Sequence, residues 1–121
     1  MKRPSFKELF NKIKYALELT SNGNFRFIDP VTLASDAIEL GYQVKDIQTI
    51  FASVLNEINP GDYAGQRPPQ RSYKVEIVDS ELFAFSWKSK LFGCEAYVKF
   101  CFKNDCLYLV SLHCDRKGKG G

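Results

Sequence analysis

Between Glu95 and His113 the chain reads Glu-Ala-Tyr-Val-Lys-Phe-Cys-Phe-Lys-Asn-Asp-Cys-Leu-Tyr-Leu-Val-Ser-Leu-His, two alternations of apolar and polar residues around one Asn104-Asp105 turn signal. Alternation with period two marks strands whose faces do different work, and two such runs joined by a turn pair form a β-hairpin. This hairpin carries the chain's only histidine. Its register constrains the rest, because a shift of one residue sends every side chain of one strand to the other face. A strict two-residue turn at Asn104-Asp105 places Ser111 and His113 with Ala96, Val98 and Phe100, on the face that must pack against the remainder of the chain. A three-residue or bulged turn instead collects Val98, Phe100, Phe102, Tyr108, Val110 and Leu112 on one face. Tyr97, Lys99, Lys103, Ser111 and His113 then share the other. The second register segregates polarity better and predicts that Tyr97 faces His113 and Lys99 faces Ser111, as cross-strand neighbours ~4.5–5.5 Å apart at Cβ.

Upstream of the hairpin the periodicity is helical. Ser5 and Glu8 have capping-box spacing, and Phe6, Leu9, Phe10, Ile13 and Leu17 fall on one face of a first helix reaching about Thr20. Asn24-Phe25-Arg26-Phe27-Ile28 alternates as a short extended piece. Asp29-Pro30 opens a second helix, as cap and first helical residue, and Gly41 ends it. A third carries the stripe Ile47, Ile50, Phe51, Val54, Leu55 and Ile58, a core face, and stops at Asn59-Pro60-Gly61. A loop rich in Pro, Gly, Gln and Arg follows to about Arg71, with Tyr63, Gln66, Arg67 and Arg71 as its chemically interesting members. Strands are expected at Tyr73 to Val78, Leu82 to Lys88, Cys94 to Lys103 and Leu107 to Cys114, an antiparallel meander. The fold class is α+β, three N-terminal helices packed on a mainly antiparallel sheet of four to six strands. Residues 1–114 form one domain, and 115–121 a basic, glycine-rich tail.

At 121 residues the chain fits one ordinary domain. No apolar run approaches the ~20 residues of a membrane span, and Met-Lys-Arg-Pro leads into a charged amphipathic segment, so no membrane partner and a cytoplasmic setting are expected. Residues 1–65 hold 7 basic and 8 acidic side chains, whereas residues 66–121 hold 10 and 6. A basic surplus in the sheet-forming half suits a polyanionic partner, and it equally suits a plain solvated surface. Cys94, Cys101, Cys106 and Cys114 lack Cys-x-x-Cys spacing and are read as reduced, core-filling thiols rather than a metal site.

No glycine-rich phosphate loop, His-Glu-x-x-His, carboxylate cluster or Gly-x-Ser-x-Gly is present, so no cofactor or metal is expected. Basic and phenolic groups on a sheet suit cleavage of RNA without metal. The substrate's 2′-hydroxyl attacks the adjacent phosphorus, a base takes its proton, cations stabilise the phosphate and an acid protonates the departing oxygen. His113 is the candidate acid or base, since histidine ordinarily titrates near neutrality. Lys99 and Arg116 are phosphate clamps, and Tyr97 a phosphate donor or stacking ring. Ser111, Arg67 and Arg71 are further substrate-binding candidates. Trp87 is read as core.

Tyr97-Val98-Lys99 followed by Val110-Ser111-Leu112-His113, together with Glu39-Leu40-Gly41-Tyr42, Asp62-Tyr63 and the order of elements, resembles the MqsR family, RelE-like toxins of bacterial toxin-antitoxin systems. The resemblance covers most of the chain. It implies an endoribonuclease that cleaves messenger RNA, with Tyr97 at the family's catalytic tyrosine and His113 at the basic residue closing its site. A cognate antitoxin, acidic or with an acidic segment, would cover the basic sheet surface. The family's loop lysine falls near Ala64-Gly65, where the nearest cation is Arg67, and its glutamine has no clear counterpart in Leu82 to Phe85. A second reading therefore stays open, a catalytically inactive member that binds RNA or protein.

Overall fold

The computed structural model describes residues 5–65, 72 and 77–114. Helix α1 (Phe6–Ser21) begins where the Ser5 hydroxyl accepts from the backbone N–H of Glu8 at 3.0 Å. A short strand β1 (Phe25–Phe27) precedes α2 (Pro30–Leu40). Asp29 caps α2 by accepting from the N–H groups of Val31 and Thr32, and Gly41 closes it with φ 84°, a left-handed conformation that a side chain would strain. Helix α3 (Ile47–Glu57) is followed by a single turn at Pro60–Asp62 and then by β2 (Phe83–Ser89), β3 (Cys94–Lys103) and β4 (Cys106–Cys114).

The four strands form one sheet in the order β1-β4-β3-β2. The last three make the expected antiparallel meander, and β1 joins β4 in parallel. Of the strand expected at Tyr73 to Val78, residues 73–76 lie outside the described residues. Ile77 and Val78 form a turn, not a strand, and Ser80 N donates back to the Ile77 carbonyl.

All three helices feed one core against the inner face of the sheet. Leu9, Ile13, Leu33, Phe51, Val54 and Leu55 meet Phe83, Phe85, Val98, Phe100, Leu107, Leu109 and Leu112. Burying each such side chain contributes ~1.5–3 kcal/mol, so this face holds the sheet in place. The stripe expected on α3 is buried apart from the half-buried Ile50. Helix α1 is rotated from expectation. Its buried line is Leu9, Ile13, Ala16 and Leu19, while Phe6 and Phe10 are 68% and 48% exposed. The i, i+3, i+4 rule identified an amphipathic helix but did not distinguish a line ending in Ala16 and Leu19 from the bulkier one beside it.

Glu57, the last residue of α3, locks the turn between β2 and β3. Its carboxylate accepts from Trp87 Nε1 at 2.8 Å, Ser89 Oγ at 2.7 Å, Lys90 N at 3.0 Å and Leu91 N at 2.8 Å. Trp87 is thus a core residue, as expected, with its one N–H satisfied. Tyr63 is also core rather than a stacking platform. It is 7% exposed and meets Phe85 edge to face with centroids 5.7 Å apart.

Candidate nucleic-acid interface on the outer face of the sheet

The hairpin uses both registers considered above, one in each half. Asn104 and Asp105 have φ of 53° and 60°, so the turn is a tight two-residue one with both residues left-handed, and Lys103 pairs with Cys106. In the half nearest the turn Phe102 pairs with Leu107 and Phe100 with Leu109, which puts Leu107 and Leu109 in the core. The register then slips between Lys99 and Phe100, leaving Val110 as the extra residue of a β-bulge. Beyond it Lys99 pairs with Ser111, Val98 with Leu112 and Tyr97 with His113.

The expected pairs at the site are therefore present, and the turn assigned to them is corrected: the offset lies in mid-strand, not in the loop. Tyr108 and Val110, expected on the core face, are half-buried while Leu107 and Leu109 take their places. The reason is economical. The two-residue turn buries two leucines that a bulged turn would expose, and the later bulge then spares Ser111 and His113 from burial without partners.

On the outer face the bulge leaves three rows. Ser86, Tyr97 and His113 are successive partners across β2, β3 and β4; Ala84, Lys99 and Ser111 form the next row; Cys101, Tyr108 and Arg26 form the third, with Arg26 on β1. The Tyr97 and His113 rings stack with centroids 5.2 Å apart and planes inclined at 24°. His113 Nδ1 lies 2.7 Å from the Cys114 carbonyl oxygen. A carbonyl only accepts, so Nδ1 carries the hydrogen and, in the neutral ring, Nε2 carries the lone pair. The Cys114 N–H in turn donates to Glu39 Oε1 at 3.2 Å, which ties this end of β4 to α2.

Tyr97, Lys99, Ser111 and His113 are all half-buried. Arg67, Arg71 and Arg116 lie outside the described residues. Ser86, Tyr108 and Arg26 were not singled out from sequence. Alternation in Asn24 to Ile28 signalled a strand, but nothing local said that it would lie beside β4 and turn Arg26 onto this face.

At the other end of the outer face the β3 side is covered, while Tyr108 on β4 is half-buried and Arg26 on β1 exposed. Ile77 is fully buried without belonging to the main core, Cys101 is fully buried, and Lys103 Nζ donates to the Val78 carbonyl at 3.4 Å. Burial pushes the Cys101 thiol up to about 11. It also pushes Cys94 up to about 11, reinforced by the Cys114 sulfur 3.4 Å away. All four cysteines are free, and these two are protonated thiols at neutral pH rather than activated nucleophiles. Among the described residues no three His, Cys, Asp or Glu side chains converge as a metal site. No helix among them is long and apolar enough to cross a membrane.

No family model matches the chain, and no curated protein matches it either.

Proposed function

We propose that the chain is a metal-independent endoribonuclease that cleaves single-stranded RNA by attack of the 2′-hydroxyl, an MqsR-like toxin acting in the cytoplasm and neutralised by an antitoxin. The observation that carries the reading is the stacked Tyr97–His113 pair, its imidazole oriented through Nδ1, with Lys99 and Ser111 as the adjacent row. Nε2 takes the proton of the attacking 2′-hydroxyl. Tyr97 keeps the ring in plane and donates its phenolic hydrogen to a phosphate oxygen. Lys99, with three N–H donors and a positive charge, stabilises the charge that develops on the phosphate and gives a proton to the departing 5′-oxygen, which leaves as the alcohol; the proton His113 took returns to solvent and Lys99 is reprotonated from it. Ser111 donates to the same phosphate group. Antitoxin and cellular setting rest on the resemblance of Tyr97-Val98-Lys99 and Val110-Ser111-Leu112-His113 to the family.

Binding without cleavage is the second reading, and one observation favours it. Where the family has its loop lysine, Ala64 N donates to the Ala84 carbonyl at 2.8 Å, and a Cβ on Gly65 would sit 2.7 Å from the Tyr63 hydroxyl. That segment is tied against the β2 edge by small residues with no cation.

The purified chain is mixed with a single-stranded RNA in EDTA and with the same strand carrying 2′-deoxyribose throughout. Cleavage of the first alone, with a cyclic phosphate at the new 3′ end, is expected. His113→Ala should lower kcat by roughly 10²–10⁴-fold. Intact RNA after prolonged incubation with folded wild-type protein would remove the catalytic reading.

A further inference from the structure

We propose that Arg26 and Tyr108 form a second nucleotide subsite, at which a base stacks on the tyrosine and its phosphate meets the guanidinium. The inference rests on the reading of the outer sheet face as an RNA surface and extends it to a strand longer than the scissile dinucleotide. Arg26 lies directly opposite Tyr108 in the parallel β1–β4 pair, and Cys101 lies opposite Tyr108 on the other side. The phenol ring is therefore flanked by a buried thiol and an exposed cation, with its own side chain half-buried.

Arg26 sits on an edge strand and gives one of its five N–H donors to the Phe25 carbonyl at 3.2 Å. Among the described residues no carboxylate lies within ion-pair distance of it. Asp29, three residues on, accepts from the Val31 and Thr32 N–H groups, Asp105 accepts from the Tyr15 hydroxyl, and Glu95 stands opposite Lys88 at the far end of the face. An unneutralised guanidinium beside a phenol ring is the pairing that non-sequence-specific binders of single strands use, charge for the backbone and a ring for the base. Single-stranded RNA fits better than a duplex, since only an unpaired base turns its face to a ring.

Along β4 four ladder positions separate Tyr108 from His113 once the bulged Val110 is discounted, about 13 Å at ~3.3 Å per residue. That distance spans a few nucleotides. The Lys99–Ser111 row lies between, so the three rows form one track: proton transfer at one end, charge in the middle, stacking with charge at the other.

The test is binding of a 5′-fluorescein 2′-O-methyl oligouridine ten-mer, which cannot undergo 2′-hydroxyl attack, to the full chain by anisotropy at several salt concentrations. Arg26→Ala should weaken affinity several-fold and flatten the slope of log K against log salt by about 0.7, the share of one phosphate contact on a single strand. Tyr108→Leu should weaken affinity by roughly 5- to 100-fold, and Tyr108→Phe, which keeps the ring, should restore it. Lys45→Ala, remote and paired with Asp46, should change neither affinity nor slope. Wild-type affinity and slope in folded Arg26→Ala and Tyr108→Leu would overturn the subsite alone. A wild-type chain that binds no ten-mer would overturn both it and the RNA reading. Binding that depends on Arg26 and Tyr108 without any RNA cleavage would uphold the subsite and remove the catalytic reading.

Discussion

Single side chains at two places in this fold carry more than their size suggests. Burial pushes the Glu57 carboxyl upward, and the hydrogen bonds from Trp87, Ser89, Leu91 and Lys90 outweigh it, so the group titrates below the ordinary carboxylate value. A folded value below the unfolded one gives stability that is complete above the unfolded value and is lost as the pH falls through the folded one. Urea denaturation at successive pH values should therefore show an acid-side loss that sets in as the pH falls through the ordinary carboxylate range and is reduced in Glu57→Gln. Glu57→Ala, which leaves the Trp87 N–H and the buried Ser89 hydroxyl without their acceptor, should cost roughly 2–4 kcal/mol in the same assay. Tyr42 presents the opposite case. Burial, then the charge of Asp36, pushes its phenol up to about 12, and its buried hydroxyl has no hydrogen-bond partner among the described residues. Tyr42→Phe should be neutral or stabilising by up to ~1 kcal/mol in thermal unfolding, since it removes a desolvated hydroxyl and leaves the ring beside Phe92.

Among the elements, the β3–β4 hairpin decides whether a site exists. The extra residue at Val110 allows Leu107 and Leu109 to face the core while Ser111 and His113 face out. Deleting Val110 would impose one register on both halves, exposing leucines or burying the imidazole. A loss of more than about 3 kcal/mol in urea denaturation is expected, with loss of any RNA cleavage. The pairing of Tyr97 with His113 was legible because the offset register segregates polarity, setting Ser111 and His113 with Tyr97 and Lys99 rather than with Ala96, Val98 and Phe100. The position of the slip was not legible, since a bulge in the turn and a bulge six residues later give the same pairs beyond it. The local energies of a left-handed Asn-Asp turn decided between them. Helix ends were readable for a similar local reason: Ser5, Asp29 and Gly41 each act on the backbone next to them. The rotation of α1 was not, as it depends on what α3 offers across the interface. Phe6→Ser, on the exposed side of that helix, should move stability by no more than ~0.5 kcal/mol.

Taken whole, the molecule puts its three helices on one side of the sheet and leaves cations and phenols on the other. Arg26 and Lys99 on that open side, separated by more than sixty residues of chain, share a surface only because β1 inserts beside β4 in parallel. No periodicity within either segment could announce this long-range pairing. β1 supplies Arg26 early in the chain, yet its strand partner among the described residues, β4, is the last of the described strands to be synthesised. Each of the three rows described above includes a residue of β4. A nascent chain that has not yet released Ser111 and His113 thus has helices and part of a sheet but no complete row. The order of synthesis, as much as the fold, sets when the surface first becomes able to act.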